Sequence, residues 1–137
     1  MFERYSERAR RVIYWARYEV GQSASDRIEP QHLLLGILGE RPDLIPQCSE
    51  IKKEIKLQVG RNTQNSKKEE VPLSQASWRV LKRAEEEADE LGHRRIGTEH
   101  ILAAIFYEES PTSQVLRAQG VNLPAPTEDR SREPGTV

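Results

Sequence analysis

Residues Ile96–Phe106 read IGTEHILAAIF, and 68 positions earlier Ile28–Leu38 read IEPQHLLLGIL. Both place a histidine four residues after an isoleucine and follow it with an almost unbroken apolar run. Extended towards the N-terminus without a gap, the same offset aligns residues 5–38 with 73–106. Ser6, Arg11, Val12, Ala16, Glu19, Arg27, Ile28, His32, Leu34 and Ile37 then meet Ser74, Arg79, Val80, Ala84, Glu87, Arg95, Ile96, His100, Leu102 and Ile105. Ten identities exceed the few that random pairing gives, and Ile13/Leu81 and Leu33/Ile101 add apolar equivalents. The chain reads as an internal duplication.

Each copy opens on a helical pattern. Tyr5, Ala9, Val12, Ala16 and Val20 in the first, and Leu73, Ser77, Val80, Ala84, Ala88 and Leu91 in the second, step by three or four and form one apolar stripe. Ser6 and Ser74 stand where an N-cap oxygen accepts from the first free amides. A second, shorter helix follows. Thr98 is its expected cap in copy two, and Pro30 suits its first turn in copy one. These second helices are apolar almost all round and are expected to be buried.

Beyond them, copy one has a Pro-bracketed piece, Arg41–Cys48, and then Ser49–Val59, where Ile51, Ile55 and Val59 recur before a stop at Gly60. Copy two has Thr112–Gln119 and a stop at Gly120, with no counterpart to the last helix of copy one. Alternating strand patterns are absent. The expectation is an all-α fold of about seven or eight helices in one compact domain. Its boundaries are 1–121, with repeat one at 1–60, a polar linker at 61–71 and repeat two at 72–121. A Pro-rich tail, 122–137, reads as disordered. Two half-sized units, each too small to bury its own face, must pack on each other with pseudo-two-fold symmetry.

Composition narrows the function. The 137 residues are 36% hydrophobic and 31% charged, with a net charge of −1 and a mean hydropathy of −0.75. No apolar run approaches the ~18 residues that span a bilayer. The N-terminus lacks the apolar core of a secretory signal. The single Cys48 excludes an internal disulfide framework and a multi-cysteine zinc site, and points to a reducing cytoplasm. The charge balance argues against nucleic acid as a partner.

The N-terminal MFERYSERARRVIYWA and the IGTEHILAAIF stretch together resemble the double Clp-N motif, the N-terminal domain of Clp/Hsp100 unfoldases, closest to the ClpC type. Copy two keeps Gly97-Thr98-Glu99-His100-Ile101-Leu102. Copy one keeps His32–Leu38 but has Glu29-Pro30-Gln31 in place of Gly-Thr-Glu. The resemblance covers roughly residues 1–121. It implies a domain that docks adaptors, substrates or peptide segments on an ATPase ring, with no cofactor, no metal and no chemistry of its own. No G-x-x-x-x-G-K-[ST] occurs in the chain. The chain is thus expected to be either a stand-alone protein or an excised domain, and the divergent first motif and the Pro-rich run after Gly120 favour the stand-alone protein.

The resemblance further implies that Glu99 reads phosphoarginine. Its carboxylate would take the guanidinium, while cap hydroxyls (Thr98, Ser6, Ser74) and free helix-start amides hold the phosphate. Gln31 occupies the equivalent place without the charge, so one such site is expected at most. The macrodipole alone also accounts for Glu99 at a helix start. Phe2 and Leu73 match positions that line a peptide groove in the family, and Trp78 stands where copy one has Arg10. His32 and His100 read as structural, because no ligand set accompanies them.

Tyr14, Trp15 and Tyr18, with Arg11, occupy an arc of about 100° on the side of the first helix away from its stripe. They form either a partner-binding patch or a surface covered by the linker or tail. A free-standing interaction protein that uses this patch with no Clp link is the alternative function. Residues 1–17 hold five Arg against two Glu, and Glu85–Glu90 holds five acids. These runs are either solvated faces or steering charges. Cys48 reads as a small buried apolar residue.

Overall fold

The computed structural model describes residues 2–62 and 71–126. The greater parts of the expected linker and tail, residues 63–70 and 127–137, lie outside the described residues.

The fold is all-α, with no strands among the described residues. The helices are α1 (Glu7–Gln22), α2 (Pro30–Glu40), α3 (Cys48–Val59), α4 (Gln75–Glu90), α5 (Thr98–Tyr107) and α6 (Pro111–Ala118). Ser6 and Ser74 cap α1 and α4 identically: each Oγ accepts from the amide three residues on, Ala9 or Ser77, at 3.1 Å. Gly60 and Gly120 close α3 and α6 with φ of +72° and +68°, left-handed geometry that other residues rarely adopt.

Three expectations need correction. There are six helices among the described residues, not seven or eight. Pro42 and Pro46 remove two amide donors from Arg41–Gln47, leaving isolated turns such as Leu44 N–H to Arg41 C=O and Cys48 N–H to Ile45 C=O. After α6 the chain runs without a helix to Pro126. Second, α5 begins one residue early: Gly97 is the N-cap and Thr98 is already helical. Third, Leu91 leaves the apolar stripe. Helix α4 ends at Glu90, Gly92 turns the chain at φ +72°, and Leu91 is 46% exposed.

The two repeats are joined by an exchange. Ser6 N–H donates to Ile96 C=O at 3.0 Å, and Ile96 N–H donates to Arg4 C=O at 2.9 Å. Sixty-eight residues on, Ser74 N–H donates to Ile28 C=O at 3.0 Å, and Ile28 N–H donates to Pro72 C=O at 2.9 Å. The segment preceding each repeat's first helix thus pairs, in parallel, with the segment preceding the other repeat's second helix. A further matched pair bolts each first helix to the end of the second. Arg11 Nη2 lies 2.7 Å from Glu40, and Arg79 Nε lies 3.4 Å from Glu108.

Helix α2 packs against every other helix. Leu33, Leu34, Leu35, Ile37 and Leu38 are all buried, as are Ile101, Leu102, Ala103, Ala104 and Ile105 in α5. Burying each large aliphatic side chain contributes about 1.5–3 kcal/mol, so the centre of the molecule is where its stability resides. Cys48 is buried in the same core, its Sγ 3.7 Å from Leu38 C=O.

The repeats differ at one crossing. A Cβ on Gly36 would lie 2.5 Å from Val12 C=O and 3.3 Å from Ala16 N, both backbone atoms of α1. The equivalent residue in α5 is Ala104, buried at 1% exposure, so the α4–α5 crossing accommodates a methyl group there. Gly36→Ala is expected to lose about 1–3 kcal/mol in urea unfolding through forced separation of α1 and α2. Ala104→Gly is expected to lose only about 1 kcal/mol. Equal stability of Gly36→Ala and the parent would refute the close crossing.

Candidate functional site

The exchange between repeats decides which candidate residues meet. Because Ser6 is hydrogen-bonded to Ile96, the start of α1 lies beside the start of α5, and Ser6 joins Thr98 and Glu99. Because Ser74 is hydrogen-bonded to Ile28, the start of α4 lies beside the start of α2, and Ser74 joins Gln31. Each prospective site therefore draws one helix start from each repeat.

The buried histidines organise these starts. His100 Nδ1 accepts from Gly97 N–H at 2.8 Å, and His32 Nδ1 accepts from Glu29 N–H at 2.9 Å. An accepting Nδ1 places the ring proton on Nε2. In repeat one Nε2 therefore donates to Ser23 Oγ at 3.0 Å, and the Ser23 hydroxyl in turn donates to Val20 C=O at 3.0 Å. In repeat two Nε2 donates to His93 Nδ1 at 2.9 Å. Both rings are fully buried. They replace a side-chain cap on the amide that opens each second helix. No group of three His, Cys, Asp or Glu residues that could hold a metal occurs among the described residues.

The cap hydroxyls are already engaged. Ser6 and Ser74 hold helix amides, and Thr98, 2% exposed, donates to Glu99 Oε1 at 2.9 Å. Glu99 itself is partly buried. Its Oε1 lies 3.7 Å from Nη1 of Arg41, the C-cap of α2. Arg41 also holds Asp43 through two hydrogen bonds, at 3.2 and 3.4 Å. That contact keeps the Asp43 carboxyl below the usual carboxylate range. Gln31 has a different neighbour: its Nε2 lies 3.5 Å from Gln58 Oε1. Sequence reasoning missed Arg41. Its counterpart at position 109 in the 68-residue offset is Glu, so the charge at this position is reversed between the repeats.

Phe2 is partly buried, edge-on to Tyr5 with ring centroids 5.0 Å apart, and Arg10 holds the carbonyls of Phe2 and Glu3. Leu73 is half-buried at the second cross-repeat bridge, and Trp78 is 43% exposed on α4. Tyr14, Trp15 and Tyr18 are 65%, 40% and 54% exposed. They stack edge to face, Tyr14 on Trp15 at 5.2 Å and Trp15 on Tyr18 at 6.1 Å. Arg11, grouped with them from the sequence, is instead committed to Glu40 and, at 3.8 Å, to Glu7. The Glu40/Glu108 identity signals this role and lies just past the aligned window.

The Clp repeat (R) N-terminal domain matches residues 4–119. The chain belongs to this Clp N-terminal family. A ClpA homolog described as an ATP-dependent Clp protease ATP-binding subunit, from Trieres chinensis, is 32% identical over 133 residues, covering 90% of this chain and 15% of the relative. ClpC/MecB of Bacillus subtilis, the negative regulator of genetic competence, is 30% identical over 132 residues, covering 90% of this chain and 16% of the relative. The chain thus spans about one sixth of these relatives' length. Among solved structures, the N-terminal domain of ClpD from Arabidopsis thaliana matches with a TM-score of 0.70 at 25% identity, covering 90% of this chain and 89% of that one. The Hsp104 N-terminal domain from Candida albicans matches with a TM-score of 0.73 at 19% identity, covering 88% and 85%, a likeness of fold. No helix among the described residues is long and apolar enough to cross a membrane.

In this Clp-family fold the Tyr5 phenol reports on the exchange. It is 5% exposed, and burial, followed by the Glu85 carboxylate, pushes its ionisation well above the usual range for a phenol. The neutral phenol's stabilising contribution is present below the unfolded-state value of about 10 and is lost as pH rises beyond it. In an alkaline absorbance titration one component is expected to ionise only as helical signal is lost, and Tyr5→Phe is expected to remove that component. A tyrosinate signal complete before any loss of helix would contradict the burial.

Proposed function

We propose that this Clp N-terminal domain docks protein segments, substrates or adaptors, within a Clp-type unfolding and proteolysis system, and that it binds without converting. The observation that supports the reading is the placement of Glu99: a partly buried carboxylate at the rim where the starts of α1 and α5 meet, 3.7 Å from the Arg41 guanidinium, which shows that this position accepts a guanidinium. An arginine or phosphoarginine of an incoming segment can take the carboxylate, while Arg41 retains Asp43. At the other junction Gln31 supplies no charge, so the reading assigns such a ligand to one junction only. Phe2, Leu73 and Trp78 add half-exposed apolar surface on the segments that enter α1 and α4.

A second reading, a scaffold without a Clp link, is favoured by the exposed ladder of Tyr14, Trp15 and Tyr18. Both readings place the protein's activity in recognition, in the compartment expected from its cysteine content, the cytoplasm.

Fluorescence anisotropy with an arginine-phosphorylated peptide tests the Glu99 site. Binding is expected, with a loss of about tenfold or more in Glu99→Ala, because one charge-assisted contact is removed. Arg41→Ala, which removes the guanidinium that lies beside Glu99, is expected to tighten binding. Equal affinity of Glu99→Ala and the parent would refute the assignment. Co-purification with Clp components from cell extract separates the two functions: retention supports the Clp link, and its absence together with loss of another partner in Tyr14→Ala/Trp15→Ala supports the scaffold.

A further inference from the structure

The duplication supplies an internal control for the aromatic ladder. Helices α1 and α4 are the same element in two copies, with the same cap and the same inward stripe. At the positions of Tyr14, Trp15, Arg17 and Tyr18 in α1, helix α4 carries Lys82, Arg83, Glu85 and Glu86. All eight residues are exposed. The fold therefore accepts charged residues at every one of these places, and three aromatic rings on α1 answer no requirement of its packing.

The chemistry of the ladder selects its partner. The Trp15 indole and the Arg17 guanidinium are donors only, and the two phenols can donate. None of the three rings has a hydrogen-bond partner for its polar atom among the described residues. The ladder runs into a cavity of about 360 Å³ between the ends of α1 and α3, lined by Tyr18, Glu19, Lys56, Leu57, Val59 and Arg61 among others. Leu57 is 75% exposed there. Arg17, Lys56 and Arg61 outweigh Glu19, so the surface combines apolar area, solvent-facing donors and net positive charge. An acidic segment with an aliphatic anchor matches all three.

We propose that the α1 ladder and the adjoining α1–α3 cavity form a docking surface for an acidic protein segment, with an aliphatic side chain entering beside Leu57 and carboxylates meeting Arg17, Lys56 and Arg61. The proposal rests on the reading of the chain as a protein-docking domain, but needs neither Glu99 nor a Clp partner. Aromatic anchors beside an arginine are the composition that dominates binding energy at protein interfaces. The charges speed encounter and make it salt-dependent.

The test uses the whole chain and two fluorescent peptides, EELEELEEL and KKLKKLKKL. The acidic peptide is expected to bind, more weakly at higher salt, and the basic one is not. Tyr14→Lys/Trp15→Arg/Tyr18→Glu transplants the α4 residues onto α1, a surface the fold demonstrably tolerates. It is expected to weaken binding by about tenfold or more, the loss typical of removing central anchors. Lys56→Glu/Arg61→Glu tests the cavity end separately and is expected to weaken binding at low salt, since two of the three cations are reversed. Glu99→Ala is expected to leave this binding unchanged, so failure here and failure at Glu99 are read independently. Equal binding of both peptides, or undiminished binding by the transplanted variant, overturns the proposal. So does ladder-dependent self-association in analytical ultracentrifugation with no acidic-peptide binding, which assigns the surface to a second copy.

Discussion

Four backbone hydrogen bonds cross between the repeats, two at Arg4–Ser6 with Ile96 and two at Pro72–Ser74 with Ile28. They are few, but everything else is arranged around them. Neither repeat can satisfy the backbone in front of its own second helix. Left unpaired in a partly buried place, each such group would cost about 1–3 kcal/mol. The exchange removes that cost only when both halves are present, so the fold is one cooperative unit in which α2 and α5 form a shared centre. It also creates the two junctions where helix starts from different repeats lie side by side.

Hydrophobic burial supplies the magnitude and the exchange supplies the geometry. Helices that are apolar on all sides have no preferred face, and packing alone would not fix how α2 sits against α5. The histidines complete the specification. By accepting the amide of residue 29 or 97, His32 and His100 fix where each second helix begins. Their remaining nitrogens tie that start to the loop behind it, through Ser23 in one repeat and His93 in the other. The same structural task is solved with different partners, as expected of two copies that drift while a common constraint holds.

The ten identities at a spacing of 68 were enough to read the duplication, the periodic stripes gave the all-helical class, and the N-terminal and IGTEHILAAIF motifs carried the family resemblance. The expected count of seven or eight exceeds the six helices among the described residues; in the Pro-bracketed segment two prolines in five residues withhold the amides that a helix would need. Leu91 fits the stripe by spacing and leaves it because Gly92 ends the helix first. The site was legible in part. Glu99 and Thr98 are marked by their motif, whereas the Arg41 contact is tertiary, brought from the far end of α2 by the packing of one repeat on the other. Arg11 looked like part of the aromatic surface and is a bolt to Glu40, a pairing visible only once Glu40 and Glu108 are compared.

Comparison of the two halves separates what the fold requires from what it merely permits. At several places where both copies keep a residue, a shared contact explains it: Ser6 and Ser74 as caps, Arg11 and Arg79 against Glu40 and Glu108. Where they differ on the outside, packing imposes no choice, and the difference becomes informative about binding. By that criterion the charge at position 99 and its absence at 31 mark a real difference between the two junctions: Glu99 lies 3.7 Å from the Arg41 guanidinium, whereas Gln31 lies 3.5 Å from the neutral amide of Gln58. Neither the caps nor the buried histidines, which both copies share, require that difference, so it belongs to the surface and not to the packing.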